Sequence, residues 1–399
     1  VKRNAAALVL AHSVRYVGQV SVLVVVALSG SARDVGLLSL SLATTAPIFV
    51  VFSLGMRTLI LTHRSDYPLE AYLRVRAYTA VVAVALGALV GFVALGLDAA
   101  PFLVGAILMK LADYVVDFAT AWLQLRQRFQ LLVAISASSA AATALGAVTG
   151  ILISPAMSPL FAGLGPIVLA LVWVIPLLVS AIREEAGRGR SPAGASRDIL
   201  RAGFPLGLSY GAVSLLVALP QIALAALSSV EDAGRFAILY YLIVGAELVT
   251  NPLSQSWIQN RRAALRTSRH PRGFVAREIL RLSLGLAVVF AAGVVVGAFV
   301  LPVVFGTYYR IDTWEGLALF GCMLLIPAVY LGASALAVLN RYRASLIAVV
   351  PALAICGLAC AALIPTYGTL GAILAYMLSL ATRGAAPFFA IATRTEDHG

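Results

Sequence analysis

The length of the apolar runs constrains this chain more than any other feature. Segments such as VVAVALGALVGFVALGL (81–97) and LAVVFAAGVVVGAFVLPVVF (286–305) pass about twenty residues without a charge. About twenty apolar residues are what an α-helix needs to cross a hydrocarbon core of about 30 Å. A membrane barrel would instead show alternating segments of about ten residues. The runs are expected at about 5–28, 34–58, 76–97, 100–124, 129–153, 159–182, 202–227, 233–257, 279–304, 313–339, 344–364 and 369–393. Hydrophobic residues make up 61% of the 399 and charged residues 12%. Those proportions exclude a soluble globular domain and a disordered chain. The expected fold class is an all-α polytopic membrane protein with twelve transmembrane helices.

The net charge of +12 belongs to the loops, because basic residues concentrate on the cytoplasmic side of membrane proteins. With the N-terminus inside, 23 of the 29 basic residues fall in inner segments and only Arg33, Arg235 and Arg310 in outer ones. Arg15, Lys110 and Arg383 fall within spans. Both termini are therefore expected in the cytoplasm, with multi-pass insertion into a bacterial inner membrane. The first run, interrupted by Arg15, does not read as a cleaved signal peptide. No nucleic-acid-binding fold accompanies the charge. The Arg-rich stretch 260–281 reads as an interfacial helix on anionic lipid. The cysteines and histidines show no metal-ligand spacing, so no metal is expected.

The longest polar gap, REEAGRGRSPAGASR (183–197), separates six spans from six. An offset of 198 residues places SARDVG (31–36) on SVEDAG (229–234), and Arg3 on Arg201. In each half the Asp is expected to cap the next helix. The chain thus reads as an N-lobe (1–182), a cytoplasmic linker (183–198) and a C-lobe (199–399). The two six-helix lobes are expected to be related by a pseudo-twofold axis along the membrane normal, an arrangement suited to alternating access.

The opening NAAALVLAHSVRYVGQV, the turn SGSARDVGLLSLSLA and FSLGMRTLIL resemble the start of O-antigen (Wzx) type polysaccharide flippases. So do RAGFPLGLS, ALSSVEDAGRFAI and NPLSQSWIQNRRAAL in the second half. These flippases belong to the multidrug/oligosaccharidyl-lipid/polysaccharide (MOP) superfamily. The resemblance implies two six-helix lobes and carriage of a lipid-linked oligosaccharide from the inner to the outer leaflet. It also implies a cationic central cavity formed largely by helices one, two, seven and eight, and service to polysaccharide assembly proteins. Lipid II flippases of the superfamily usually have fourteen spans, against twelve here. The loop LTHRSDYPLEAYLRVRAY lacks the Gly/Asp/Arg-rich motif of major facilitator transporters. There is no Walker A loop and no catalytic constellation, so neither an enzyme nor a cofactor is expected.

Ionisable residues inside spans are costly and are functional candidates by default. Arg15 lies about 15 Å along the first helix at 1.5 Å per residue, with His12 and Gln19 on its face. A cation there would attract a pyrophosphate or acidic sugar, or else belong to a buried pair. Lys110, Asp113 and Asp117 share one face of the fourth helix. Lys110 can pair with Asp113, and Asp117 needs another partner such as Arg15. This network is either structural or ion-coupling. Glu247, Asn251, Ser254 and Gln255 form a polar stripe on the eighth helix, read as cavity lining or as interhelical hydrogen bonding. Arg383 lies midway along the last helix, where a structural pair is the simpler reading. The leading function is a lipid-linked glycan flippase. A cation-coupled multidrug exporter, which would use Asp113, Asp117 and Glu247, is the first rival. A non-transporting scaffold is the second.

The loop charges generate a topological prediction. Cysteines introduced at Ser31, Ser229 and Thr307 are expected to react with an impermeant thiol reagent in intact cells. Cysteines at Ser191 and Ser268 are expected to stay unlabelled until the membrane is opened.

Overall fold

The computed structural model describes residues 2–62, 67–186, 194–268, 270–339 and 347–392. Among them every regular element is helical: α1 (Lys2–Ser29), α2 (Ala32–Phe52), α3 (Met56–Thr62), α4 (Leu69–Leu95), α5 (Ala100–Leu125) and α6 (Phe129–Ile151). Next come α7 (Ser158–Leu169), a π-helical turn (Ala170–Val174), α8 (Ile175–Ala186), α9 (Ala195–Leu227), α10 (Val230–Thr267), α11 (Pro271–Phe305), α12 (Thr313–Val338) and α13 (Val349–Ala392). Ten spans among the described residues are long and apolar enough to cross a bilayer, and Ser13–Ser29 is a shorter apolar helix. This is the pattern of a multi-pass membrane protein. Contacts divide the chain into two compact units, Val1–Ala218 and Leu219–Gly399.

The 198-residue offset holds at the level of helix ends. α1 stops at Ser29 and α9 at Leu227; α2 starts at Ala32 and α10 at Val230. The cap itself differs from the sequence expectation. In both halves the Ser is the N-cap: Asp34 N–H donates to Ser31 Oγ at 3.2 Å, and Asp232 N–H to Ser229 Oγ at 3.0 Å. Asp34 sits three residues in and accepts from the Ser31 N–H at 2.7 Å, closing a capping box. Asp232 instead accepts from Ser228 Oγ at 2.6 Å and Tyr308 Oη at 3.0 Å. A second correspondence lies one span later. α4 and α11 both end on a glycine with positive φ, Gly96 at 75° and Gly306 at 93°, and each is followed by a three-residue 3-10 turn.

Two span boundaries differ from expectation and bring arginines into the interior. The run expected at 34–58 is two helices, because Leu54 and Gly55 both take φ of 56° between α2 and α3. The span expected from residue 76 starts at Leu69, which draws Arg76 two turns into α4. The break expected between residues 364 and 369 falls at Gly368, whose φ of 53° and ψ of −126° divide α13. The stretch 260–281 is not a separate interfacial helix. α10 runs unbroken to Thr267, about 20 Å beyond Ser254 at 1.5 Å per residue, and α11 begins at Pro271. This hairpin is tied by Trp257 Nε1 donating to Glu278 at 2.9 Å and by a small core of Leu265, Val275 and Leu336. It carries exposed Arg261, Arg272, Arg277 and Arg281.

α9 belongs to the first unit as far as Ala218. Gly203, Gly207 and Gly211 form a ridge of period four along α9 and press on the end of α2. A Cβ at Gly207 would lie 2.2 Å from the Val51 carbonyl oxygen, and one at Gly203 would lie 2.8 Å from Leu54 Cβ. Small residues allow this approach, as in other helix pairs within membranes. Thr58 and Tyr210 add a hydroxyl–hydroxyl bond of 3.2 Å at the same contact. Gly207→Val is therefore expected to lower the thermal midpoint in detergent, with overpacking costing about 1–3 kcal/mol. Gly245→Ala, where a Cβ meets nothing within 4 Å, is expected to lower it not at all.

Candidate functional site

In the first unit one face of α5 gathers charge. Arg15 (α1) donates to Asp113 Oδ1 at 3.2 Å and stands 3.9 Å from Asp117 Oδ1. Gln19, one turn further along α1, donates to Asp113 Oδ2 at 2.5 Å. Lys110 Nζ is 4.0 Å from Asp113 Oδ2. Arg57 (α3) donates to Asp117 Oδ1 at 3.1 Å and to Gln124 Oε1 at 2.8 Å. Arg15 is thus not a lone cation, and Asp117 has two arginines rather than one. The cluster is partly open, since the Arg15 side chain is 15% exposed and that of Asp117 34%.

Arg57 and Arg76, which the charge pattern assigned to an inner loop and to the edge of a span, both prove to belong here. Arg76 is 5% exposed. It donates to the Ser53 carbonyl at 3.0 Å and the Tyr114 carbonyl at 2.5 Å, and its guanidinium carbon lies 3.2 Å from the Tyr114 ring centroid. Tyr114 Oη donates to the Phe52 carbonyl at 2.6 Å and shares a short hydroxyl contact with Thr79. The two side chains therefore cap carbonyls at the α2–α3 break, where the Ser53 carbonyl also accepts a turn bond of 3.0 Å from the Met56 N–H. Such groups cannot be left bare in hydrocarbon. The break in turn places Arg57 opposite Asp117. Arg15, Arg57 and Lys110 face Asp113 and Asp117, and Arg76 lies within electrostatic reach of Asp117, so positive charge is in surplus. Only tertiary contacts reveal Arg57 and Arg76; the hint in sequence is an arginine within two turns of a span end.

The second unit holds the other candidates. Glu247 is half-buried on α10 and lies within electrostatic reach of Arg383 and Tyr376 on α13 and Tyr330 on α12. No ion pair joins Glu247 to Arg383 among the described residues. Tyr376 is fully buried and meets Tyr240 edge-on, with centroids 5.5 Å apart and hydroxyls 3.4 Å apart. Thr250 and Ser254 are buried on the same side of α10, and their hydroxyls have no partner among the described residues. Asn251 is exposed. The side chains of His12 and Gln255 lie outside the described residues. The grouping within the first unit is therefore redrawn: Arg15 and Gln19 join Lys110, Asp113 and Asp117, whereas Glu247 and Arg383 belong to the second unit. Among the described residues no group of His, Cys, Asp and Glu could hold a metal ion.

The fold is similar to that of several solved MOP superfamily transporters. A MATE-family multidrug transporter in its inward-facing conformation superposes with a TM-score of 0.63 over 98% of both chains at 13% identity. The lipid II flippase MurJ, in an inward closed conformation, gives 0.61 over 97% of this chain and 87% of that one at 12% identity. A MOP transporter from Pyrococcus furiosus, described by the reversed polarity of its binding pocket, gives 0.55 over 98% of this chain and 94% of that one at 13% identity. These neighbours are transporters and not enzymes. No family model matches the sequence, and no curated protein does.

Removing one member of an ion pair leaves its partner uncompensated, whereas removing both can be nearly neutral. Asp117→Ala is therefore expected to lower the thermal midpoint in detergent. The Arg57→Ala/Asp117→Ala double variant is expected to recover at least part of that loss.

Proposed function

We propose that this protein is a flippase that moves a lipid-linked oligosaccharide from the inner to the outer leaflet by alternating access. It would have twelve spans in two lobes, 1–182 and 199–399, joined by a cytoplasmic linker at 183–198. The count follows if α1 and both parts of α13 each cross once. Both termini would face the cytoplasm of a bacterium, across its inner membrane. The observation that carries this reading is the positive surplus around Asp113 and Asp117. Two carboxylates are already held by Arg15, Arg57 and Lys110, with Arg76 behind them. Such a centre suits a pyrophosphate, whose oxygens accept charge-assisted hydrogen bonds from guanidinium groups. A cationic drug would be repelled by the same surplus, which weighs against the multidrug-exporter reading that the MATE-like fold leaves equally open. A scaffold would have no need of an open, charged centre inside an apolar unit.

In this reading Asp113 and Asp117 hold the arginine forks in place until phosphate competes for them. Gln19 orients Asp113, and Gln124 orients Arg57. The polyprenyl chain stays in lipid, since its burial needs no polar partner. Glu247, Asn251 and Gln255 would meet the glycan or take part in coupling, with Arg383 as the counter-charge to Glu247.

Hydrogen bonds to charged groups are worth about 1.5–3 kcal/mol, or about ten- to a hundredfold in affinity. Arg15→Ala is accordingly expected to cut glycan export by about tenfold or more, while Arg15→Lys keeps part of it, because the charge survives without the planar fork. The measurement is lipid-linked glycan retained on the inner leaflet, with protein level in the same membranes. If Arg15 serves only to pair Asp113, the Arg15→Ala/Asp113→Ala variant restores both expression and export. That outcome, or normal export by a well-expressed Arg15→Ala variant, overturns the proposal.

A further inference from the structure

The repeat supplies an internal control for the second unit. At the position of Arg235 the first half has Leu37, by the same 198-residue offset. At the start of α5, where α12 carries Glu315, stand Pro101, Phe102 and Leu103. The fold therefore forms this corner from apolar residues in one half and from ions in the other. In the second unit Arg235 grips Glu315 with both forks at 2.7 Å, and a further bond of 2.7 Å runs to the Arg310 carbonyl. Glu315 is 3% exposed. A pair buried this far contributes little to stability against an apolar alternative of similar volume, so its presence asks for another reason.

The pair forms one wall of a cavity of about 410 Å³. Asp232 and Asp312 line it with the pair, and Trp314 and Tyr367 stand at its rim, 71% and 54% exposed. The remaining wall is the α13 break at Gly368, which interrupts the helix beside the cavity. The charges here are mostly committed. Glu315 is taken by Arg235, and both oxygens of Asp232 accept hydroxyl donors, from Ser228 and Tyr308. Asp312 retains a carboxylate with no side-chain partner among the described residues. What the cavity offers is two aromatic faces, one free carboxylate and polar edges already fixed in place.

We propose that this cavity binds a neutral pyranose ring. The C–H face of a sugar is apolar and packs on the rings of Trp314 and Tyr367, while its hydroxyls donate to Asp312 and Asp232. The cation in the lining, Arg235, is already held by Glu315, so this site differs in chemistry from the Arg15 centre. It lies at the start of α10, the opposite end of that helix from the exposed arginines of the α10–α11 hairpin. If the basic end is cytoplasmic, the cavity opens outside, where the glycan of a flipped lipid arrives. The inference rests on the flippase reading for its biological sense, but its test uses free sugars without phosphate or lipid and involves no export.

The experiment is saturation-transfer NMR on the full chain in lipid nanodiscs, free of sugar detergents. The probes are the methyl glycosides of glucose, galactose, mannose, rhamnose and N-acetylglucosamine, with tetramethylammonium as the cationic competitor. At least one glycoside is expected to receive saturation. Trp314→Ala and Asp312→Asn are each expected to weaken that binding by about fivefold or more. Both residues are exposed, so the thermal midpoint should not move and loss of binding will not report misfolding. No transfer to any glycoside overturns the proposal. So does binding that is equal in both variants, or binding of tetramethylammonium rather than a glycoside.

Discussion

Hydrocarbon offers no water to a bare carbonyl or an unpaired charge, and this single constraint shapes the chain at every scale. It makes each span a helix, since only a helix satisfies its own backbone within one segment. It also sets the conditions under which a helix can be broken. Between α2 and α3 the chain turns through two left-handed residues, one of them Leu54, and such a residue costs of order 1–3 kcal/mol outside glycine. The break is held because Arg76 and Tyr114 reach back to the Ser53 and Phe52 carbonyls. The glycine ridge of α9 closes over the same place, where side chains would collide with the Val51 carbonyl.

Strain at the break and charge at the centre are two sides of one arrangement. Without the turn, Arg57 would continue along α2 instead of meeting Asp117. Arg76 serves twice: its donors cover the broken end, and its charge lies behind the acidic face of α5. A positive surplus results although every acid in the cluster is paired. Charge pairing and anion attraction therefore do not compete here, because the arginines outnumber the carboxylates that hold them.

The internal repeat separates what the fold requires from what it merely permits. Serine caps at Ser31 and Ser229 and the glycine turns at Gly96 and Gly306 recur in both halves, so they answer to geometry common to both. The arginines of the basic centre are not repeated at the 198-residue offset: Val213 stands there for Arg15 and Gln255 for Arg57, although Glu315 stands for Asp117. The Arg235–Glu315 corner is likewise confined to the second half. The two halves share these helix ends and turns and carry different polar residues.

Much of this was legible in sequence, for physical reasons that act locally. Apolar length dictates spans, and the polar turns SARDVG and SVEDAG mark helix starts, although the Ser and not the expected Asp caps them. Even the break at Gly368 showed as an interruption between runs. Arg15, Asp113 and Asp117 stood out because a charge inside an apolar run has no local excuse. Which charges meet was decided by tertiary structure. Arg57 looked like a loop cation until the α2–α3 turn aimed it at Asp117. Arg76 looked interfacial until α4 proved to start seven residues earlier, and the stretch 260–281 looked like a surface helix until α10 ran straight through it. A span boundary shifts freely along a gradient of hydropathy, but a guanidinium in hydrocarbon must find its carboxylate or carbonyl, and that partner lies far away in the chain.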